Sequence, residues 1–244
     1  MNKEVILVTG GSRGIGEAIV RRVAGAGRIV LFTYFNSKSV AEKISEELTS
    51  TGNENYIYKL DVSDPADVEK VVEEIGEKFK EINVLINNAG IIRDNPVYMI
   101  SDEEWHDVIN TNLSGAFYTC RAVSKYMIRR RKGKIINISS VTAETGSRGQ
   151  ANYSAAKGGV EALTRTLAVE LSAKNITVNC VSPGVIDTRM TADIREKYND
   201  IIMSRILMKR TGRPEEIAGV VNFLISEEAS YINGQVIHVD GGML

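Results

Sequence analysis

Short apolar runs alternate with helix-like segments along the whole chain. Seven of these runs predict strands, at residues 5–8, 29–34, 56–60, 84–86, 134–138, 177–181 and 235–239. Continuous apolar runs are typical of strands that are covered on both faces, as in a parallel sheet. The alternation predicts an α/β fold with one doubly wound parallel sheet, helices on both faces and right-handed crossovers. A length of 244 residues suits one domain over residues 1–244, with two small domains as the alternative.

Helix signals fill the spaces between the predicted strands. Asp64 and Pro65 are an N-cap residue followed by proline at the first helical position, and an apolar face follows them. The longest segment without a clear pattern is residues 186–213, which is polar and contains three methionines. A loop of that length in a compact domain is often functional, so we expect this segment to be a lid.

A glycine-rich turn follows the first predicted strand and opens a helix. Its spacing is Gly10-x-x-x-Gly14-x-Gly16. Glycine permits a tight turn and lets backbone N–H groups approach phosphate oxygens, while the helix dipole favours the negative charge. The pattern predicts a site for the pyrophosphate of a dinucleotide. An ordinary strand-to-helix turn is the alternative.

The region after the second strand bears on which dinucleotide would bind. An acidic residue there would bond the ribose 2′-hydroxyl of NAD, but residues 32–38 contain neither Asp nor Glu. Arg13 lies in the glycine turn and could face a 2′-phosphate, although a solvated loop residue is the alternative. The sequence therefore favours NADP(H). Asp61, followed by Val62, ends the third strand, where it could meet the adenine amino group or serve only as a turn residue.

Tyr153 and Lys157 carry the candidate chemistry. They stand four residues apart. One apolar helical face continues the segment at spacings of four, three, four and four: Ala156, Val160, Leu163, Leu167 and Leu171. Residues four apart on a helix lie on the same side, so the ammonium can approach the phenol. A neighbouring cation favours the phenolate, so we expect a lowered pKa that suits acid–base catalysis. The alternative is a surface helix with an unrelated tyrosine and lysine.

Charge and composition exclude several other classes of function. A net charge of −1 gives no overall attraction to nucleic acid or to an anionic membrane, and no apolar stretch is long enough to span one. The N-terminal residues run straight into a strand without a signal-peptide core, so we expect a cytoplasmic protein. Cys120 and Cys180 are single and predict buried thiols. Two histidines and two lone cysteines leave no metal-site spacing, so we expect no metal.

Several motifs follow one another in a set order along essentially the whole chain. They are the glycine turn, Asn87-Asn-Ala-Gly90, Asn112, Ser140 at thirteen residues before Tyr153, the Tyr153/Lys157 pair, and Pro183-Gly184 after the sixth strand. In these features the chain resembles the short-chain dehydrogenase/reductase family, which implies a Rossmann fold.

The resemblance implies a role for each catalytic candidate. Tyr153 would be the general acid/base, and Lys157 would lower its pKa and bond the nicotinamide ribose. Ser140 would hydrogen-bond the substrate carbonyl, and Asn112 would hold a water that links Lys157 to solvent. The expected cofactor contacts are Gly10, Ser12, Arg13, Gly14, Ile15, Gly16, Asn36, Asp61, Val62, Asn88, Ala89, Gly90, Tyr153, Lys157, Pro183, Gly184, Ile186 and Thr188.

Within the family the chain is most similar to reductases that act on 3-oxoacyl thioesters in fatty-acid biosynthesis. The resemblance rests on residues 92–95, 148–153 and 231–242. It implies NADPH-dependent reduction of a substrate carried by acyl-carrier protein or by CoA. A dehydrogenase of a steroid, sugar or small alcohol is one alternative, and a catalytically silent NADP-binding regulator is another.

Two expectations concern protein partners. The basic residues 129–132 and Lys174 match positions that such reductases use beside the active-site mouth for an acidic carrier, with a solvated helix end as the alternative. Most relatives are dimers or tetramers, and the segments at residues 112–127 and 153–172 are apolar on more than one face. A homotetramer is therefore expected.

Overall fold

All seven predicted strands form, and they join one parallel sheet. The computed structural model describes residues 3–244, apart from the side chains of residues 193 and 194; residues 1 and 2 of the N-terminal segment lie outside the described residues. The strands are β1 (Glu4–Val8), β2 (Arg28–Tyr34), β3 (Glu54–Lys59), β4 (Val84–Asn87), β5 (Gly133–Ile138), β6 (Ile176–Pro183) and β7 (Val236–Val239). Their order is β3-β2-β1-β4-β5-β6-β7, with every neighbouring pair parallel. The predicted α/β fold class is confirmed.

Helices connect the strands on both faces of the sheet. In the described part of the chain they are α1 (Gly14–Val23), α2 (Lys38–Ser50), α3 (Pro65–Phe79), α4 (Asp102–Ile109), α5 (Gly115–Arg130), α6 (Thr142–Thr145), α7 (Ala151–Ser172), α8 (Ala192–Arg205) and α9 (Pro214–Leu224). A π-helical turn (Asn110–Ser114) separates α4 from α5, and 3₁₀ turns occupy Arg189–Thr191 and Glu227–Ala229. The predicted start of α3 is confirmed, because the Asp64 carboxylate accepts a bond from the Ala66 N–H at 2.8 Å.

Two hydrophobic cores lie on opposite faces of the sheet. Buried residues of α1, α2 and α9 cover one face, and those of α3, α5 and α7 cover the other. The outer strands β3 and β7 are mostly half-buried. The central strands β1, β4, β5 and β6 are almost fully buried, and Ile6, Leu7 and Val8 of β1 are 0% exposed. Burial on both faces explains why these strands are continuously apolar in sequence.

The buried stripe of α7 differs from the predicted one. Ala156, Val160 and Leu171 are buried as expected, but the stripe continues through Thr164 and Ala168. The predicted Leu163 and Leu167 are only half-buried. A repeat of four residues keeps one row against the sheet, and the neighbouring leucines lie on its flank. The flank is available for a second contact surface.

Residues 186–213 are largely helical, so the expectation of an unstructured loop is wrong. Helix α8 occupies Ala192–Arg205 with a non-helical residue at Tyr198. The segment gave no clear pattern because most of α8 is exposed, and among its later residues Ile202 and the following Ile206 are the buried ones. A role as a lid stays a prediction.

The strand order places a crevice at the carboxyl end of β1. The chain crosses from β3 on one side of β1 to β4 on the other, which is the point where α/β sheets commonly bind ligands. The segments after β1 and β4 therefore meet at this edge. Among the described residues, no helix combines the length and apolar character needed to cross a membrane. The described residues also contain no group of three or more His, Cys, Asp or Glu side chains placed to hold a metal ion.

Candidate active site

The glycine turn follows β1 at the crevice, and neighbouring backbone leaves no room for side chains there. Gly10 has a φ of +65°, and a Cβ on it would lie 2.9 Å from the Ala89 Cα. A Cβ on Gly16 would lie 2.2 Å from the Gly10 carbonyl oxygen. The Asn88 side chain fastens this turn from β4 by donating to the carbonyls of Thr9 and Gly10 at 3.1 and 3.0 Å. The turn is thus held close against the segment Asn88–Gly90.

The amino end of α1 is left without a side-chain cap. Arg13 occupies the N-cap position in an extended conformation and forms no cap hydrogen bond. By contrast, the Asp64 side chain caps α3, and Ser101 with Glu104 forms a capping box on α4. An uncapped helix start presents backbone N–H groups and a positive dipole end, which is the chemistry that binds a phosphate. The residues present here fit a dinucleotide pyrophosphate.

The loop after β2 lies beside the glycine turn. The hydroxyls of Ser12 and Ser37 are 2.7 Å apart, and the Gly10 N–H donates to Thr33 Oγ1 at 3.1 Å. Arg13 and Asn36 are exposed on this side. The structure therefore brings the turn, with its exposed Arg13, together with a loop that has polar residues but no acid. Binding of the 2′ position of an adenosine ribose here stays a prediction.

Asp61 is partly committed to its own turn. Its Oδ1 accepts bonds from the Ser63 N–H and hydroxyl at 2.9 and 2.6 Å. Val62 is buried, and a Cβ on Gly115 would lie 2.9 Å from its Cγ2. The structure therefore shows Asp61 in the role of a turn residue. A contact between Asp61 and adenine stays a prediction.

Lys157 is buried beneath the site. Its Nζ donates to the carbonyl oxygen of Ile138, at the end of β5, at 2.8 Å. Burial lowers the pKa of Lys157 to about 8, and the nearby Cys180 thiol on β6 opposes this shift. The ammonium lies 5.6 Å from the centre of the Tyr153 ring. The two residues share one side of α7 as their spacing predicted.

The expected lowering of the Tyr153 pKa is wrong for this arrangement. Burial raises the pKa of Tyr153 to about 12, the neighbouring Ser140 hydroxyl opposes the rise, and the charge of Asp94 adds to it. The Ser140 hydroxyl also accepts bonds from the N–H and hydroxyl of Thr142, at 3.3 and 3.1 Å. Spacing along a helix predicted proximity of Lys157 correctly, but the desolvation of a phenol depends on packing that spacing does not describe.

Asn112 lies in the π-helical turn before α5, a feature that is frequent at functional sites. Its side chain accepts from the Ile91 N–H and donates to the Ile91 carbonyl, at 2.8 and 2.9 Å. A cavity of about 10 Å³ adjoins it, lined in part by Thr9, Asn87 and Lys157. That volume suits one water molecule in a polar setting. The amide keeps one lone pair and one N–H for such a water.

The end of β6 closes the crevice from the other side. Gly184 follows Pro183, and its N–H donates to the Val239 carbonyl of β7 at 3.1 Å. Ile186 is buried, and Thr188 faces the glycine turn, because a Cβ on Gly14 would lie 3.4 Å from the Thr188 Cγ2. The crevice therefore has the predicted residues on both walls.

The predicted basic run is not beside this site within one subunit. Arg131 ends α5, and its side chain donates to the Ala173 carbonyl next to Lys174, at 3.0 Å. These residues precede β5 and β6, whereas Ser140 follows β5 and Pro183 is the last residue of β6. Helix α5 has 16 residues and is about 24 Å long. The expectation of a position at the mouth rested on resemblance of sequence, and the course of α5 moves the run to the opposite edge of the sheet.

Sequence reasoning missed three polar residues around Tyr153. Gln150 and Asn152 are buried, and they bond Asp94 and the Arg93 carbonyl in the loop after β4. Their position directly before Tyr153 was the available signal. Their partners could not be found from spacing, because they lie more than fifty residues away in the chain.

The fold, the glycine crevice and the Tyr153/Lys157 pair define a dinucleotide-binding protein with a candidate proton donor. The chain matches the family described as Enoyl-(Acyl carrier protein) reductase over residues 10–244. It belongs to the short-chain dehydrogenase/reductase family, whose members use a nicotinamide cofactor.

Individual relatives are similar along the whole length. The chain is 43% identical over 243 residues to a 3-oxoacyl-[acyl-carrier-protein] reductase FabG of Staphylococcus epidermidis, covering 100% of this chain and 99% of the relative. It is 44% identical over 240 residues to the protein of the same name in Escherichia coli, covering 98% and 97%. A solved structure, described as the crystal structure of gox2181, matches with a TM-score of 0.95 at 32% identity, covering 100% of this chain and 96% of that one.

Proposed function

We propose that this protein is an oxidoreductase that reduces a 3-oxoacyl thioester to the 3-hydroxyacyl thioester in fatty-acid synthesis, with NADPH as the reductant. The observation that carries the proposal is the set Asn112, Ser140, Tyr153 and Lys157 at one edge of the sheet, beside an uncapped helix start. Sequence identity of 43–44% along the whole chain to proteins named 3-oxoacyl-[acyl-carrier-protein] reductase supports the substrate class.

The choice of NADPH over NADH rests on the loop after β2. A carboxylate there would repel a 2′-phosphate, and residues 32–38 contain none. The Arg13 guanidinium is exposed at the start of α1, where it can pair with phosphate oxygens through charge-assisted hydrogen bonds. Ser12, Ser37 and Asn36 add polar groups on the same side.

The reaction assigns a separate task to each catalytic side chain. The bound nicotinamide supplies the hydride to the substrate carbonyl carbon. Ser140 donates a hydrogen bond to the carbonyl oxygen, and Tyr153 gives the proton that converts the developing alkoxide to the hydroxyl. A pKa of about 12 keeps the phenol protonated at neutral pH, which suits a proton donor in the direction of reduction.

Lys157 and Asn112 serve the proton supply behind the phenol. Lys157 is also expected to bond the nicotinamide ribose, as the resemblance to the family implies. The small cavity beside Asn112 and Lys157 has the size of one water. A water held there would return a proton toward Tyr153 after each turnover.

The substrate is carried by acyl-carrier protein or by CoA, and the enzyme is a cytoplasmic homotetramer. Support for the assembly comes from apolar side chains that remain exposed on α5 and α7, with Phe117 at 41% and Val169 at 79%. Such helices commonly find a second partner surface in a symmetric oligomer. An active species that sediments as a monomer would overturn the assembly proposal.

The test is oxidation of NADPH with a panel of substrates. Acetoacetyl thioesters on acyl-carrier protein and on CoA are compared with a steroid ketone and a sugar, and NADH is run alongside. The proposal expects the highest kcat/KM with a thioester and NADPH. A preference for the steroid or sugar would make the protein a dehydrogenase of small alcohols. Tight NADPH binding without turnover of any substrate would favour a regulator.

A further inference from the structure

Two segments far apart in sequence are fastened together beside Tyr153. One is the loop after β4, which carries Arg93, Asp94 and Asn95, and the other is the start of α7. Gln150 Nε2 donates to both carboxylate oxygens of Asp94, at 3.1 and 3.0 Å. The two segments do not touch through any sheet hydrogen bond, so side chains and turn backbone hold them.

Three further hydrogen bonds reinforce the same junction. The Asn95 N–H donates to the Gly149 carbonyl at 2.9 Å. The Asn152 side chain is fully buried and donates to the carbonyls of Arg93 and Glu104, at 3.1 and 3.3 Å. Together these contacts fix the backbone on the amino side of Tyr153, which is the group whose phenol must be located for proton transfer.

Asp94 also acts on the phenol by charge. Asp94 is exposed as a residue, but its carboxylate lies against Gln150, and partial loss of hydration raises its pKa while the Gln150 bond opposes the rise. The groups that act electrostatically on Tyr153 are Asp94 from the loop after β4, Ser140 from the segment after β5, and Lys157 from α7. Lys157 in turn faces the Cys180 thiol of β6. Asp94 is the acidic group in this set.

We propose that Asp94 is a positioning residue for the reaction: it holds the start of α7 through Gln150, and its negative charge acts on the phenol of Tyr153. The inference rests on the proposed role of Tyr153 as proton donor. The loop after β4 thereby helps to hold Tyr153 in place for proton transfer, in addition to forming a wall of the cofactor crevice. Nothing about the identity of the substrate enters the inference.

Charge and tether are separated by two single variants. Asp94→Asn is nearly isosteric, keeps an oxygen for Gln150 and removes the negative charge. Because a nearby anion raises a phenol pKa, we expect the alkaline limb of kcat/KM to move to lower pH, by an amount on the order of half a unit. Gln150→Ala keeps the charge and removes the tether. It should lower kcat about tenfold through poorer location of the phenol, with a smaller change in KM.

A double variant and a control complete the test. The double variant Asp94→Ala/Gln150→Ala should lower kcat no further than the more damaged of the single variants Asp94→Ala and Gln150→Ala, because both changes remove one shared interaction. Glu103→Gln removes an exposed carboxylate at the start of α4 and should move neither limb nor kcat. The inference would be overturned if the alkaline limb of kcat/KM stayed in place in Asp94→Asn, or if Gln150→Ala kept the wild-type kcat.

A readout other than activity distinguishes this inference from the proposed function. The ionisation of Tyr153 is measured by ultraviolet difference titration of each protein against its Tyr153→Phe counterpart, with thermal unfolding as a check of folding. A lower phenol pKa in Asp94→Asn supports the positioning role, and an equal one contradicts it. Full activity in Tyr153→Phe would instead contradict the proposed role of Tyr153 as proton donor, while the titration would still report whether Asp94 acts on the phenol.

Discussion

The amino ends of α1 and α7 serve the same crevice but are built by opposite means. Neither helix has a side-chain cap, but α1 begins after a glycine with positive φ, and its N-cap residue Arg13 is exposed. Helix α7 begins among buried side chains, with Gln150 and Asn152 both bonded to the loop after β4. Backbone N–H groups are sufficient to bind a phosphate, whereas proton transfer needs a phenol held in one place.

Because the two helix starts differ in this way, mutations at α1 and at α7 are expected to affect different steps. Changes at the start of α7 should reduce kcat while cofactor binding is retained. Changes at the start of α1 should weaken cofactor binding while the chemistry of the bound complex is retained.

Tyr153→Phe removes the phenol oxygen and keeps the ring. We expect kcat to fall by about 10²–10⁴-fold, the usual contribution of a positioned general acid. Affinity for NADPH, measured by fluorescence titration of the nucleotide, should stay unchanged. A loss of only a few-fold would remove Tyr153 from the role of proton donor.

Gly16→Ala places a Cβ at 2.2 Å from the Gly10 carbonyl oxygen. The backbone must shift, so we expect a loss of about 1–3 kcal/mol in the free energy of unfolding and weaker binding of cofactor. Gly219→Ala in α9 is the matched control, because a Cβ there has nothing within 4 Å. The control should gain roughly 0.5–1 kcal/mol from helix propensity. Equal thermal stability of the two variants would contradict the packing argument.

Arg13→Ala removes the cation that faces the proposed 2′-phosphate position. A hydrogen bond to a charged group contributes about 1.5–3 kcal/mol, so the KM for NADPH should rise roughly tenfold or more. The KM for NADH should hardly change, and kcat should be retained. Arg22→Ala, at the other end of α1, is the control for loss of one exposed positive charge. A wild-type preference for NADH would refute the choice of cofactor itself.

Charge reversal at Arg131 is expected to have the smallest effect. Its distance from Tyr153 within one subunit excludes direct contact with the reacting group, so any influence acts on encounter with an acidic carrier. Arg131→Glu should raise KM for the carrier-bound thioester at low ionic strength, and added salt should remove the difference. The CoA thioester should be unaffected.

The neighbouring Arg129 separates charge from structure in that experiment. Arg131 donates to the Ala173 carbonyl and has a positive φ of 53°, so its replacement also perturbs the end of α5. Arg129→Glu changes the same charge without removing that bond. Similar effects in the two variants would indicate steering of the carrier. An effect in Arg131→Glu alone, on both thioesters, would indicate a role in folding.

Local patterns in the sequence determined the architecture and the two halves of the site. Buried strands in a parallel sheet must be apolar on both faces, so they could be recognised in the sequence as continuous apolar runs. The observed strands differ from the predicted ones by two residues at most at either end. The glycine turn could be recognised in the sequence because the structure leaves no room for a Cβ at Gly10 or Gly16, so glycine is required at both positions. Tyr153 and Lys157 were placed together because the period of the α-helix relates residues four apart.

Tertiary structure alone decided the electrostatics and the long-range partners. The phenol pKa follows burial and the charge of Asp94, and the Lys157 ammonium donates to the Ile138 carbonyl of another element. The same holds for the position of Arg131 at the far end of α5. Desolvation and Coulomb interactions depend on distances through space between segments that are far apart in the chain. Those distances cannot be derived from the spacing of residues along the sequence, because they are set by the way α5 and α7 pack on the sheet.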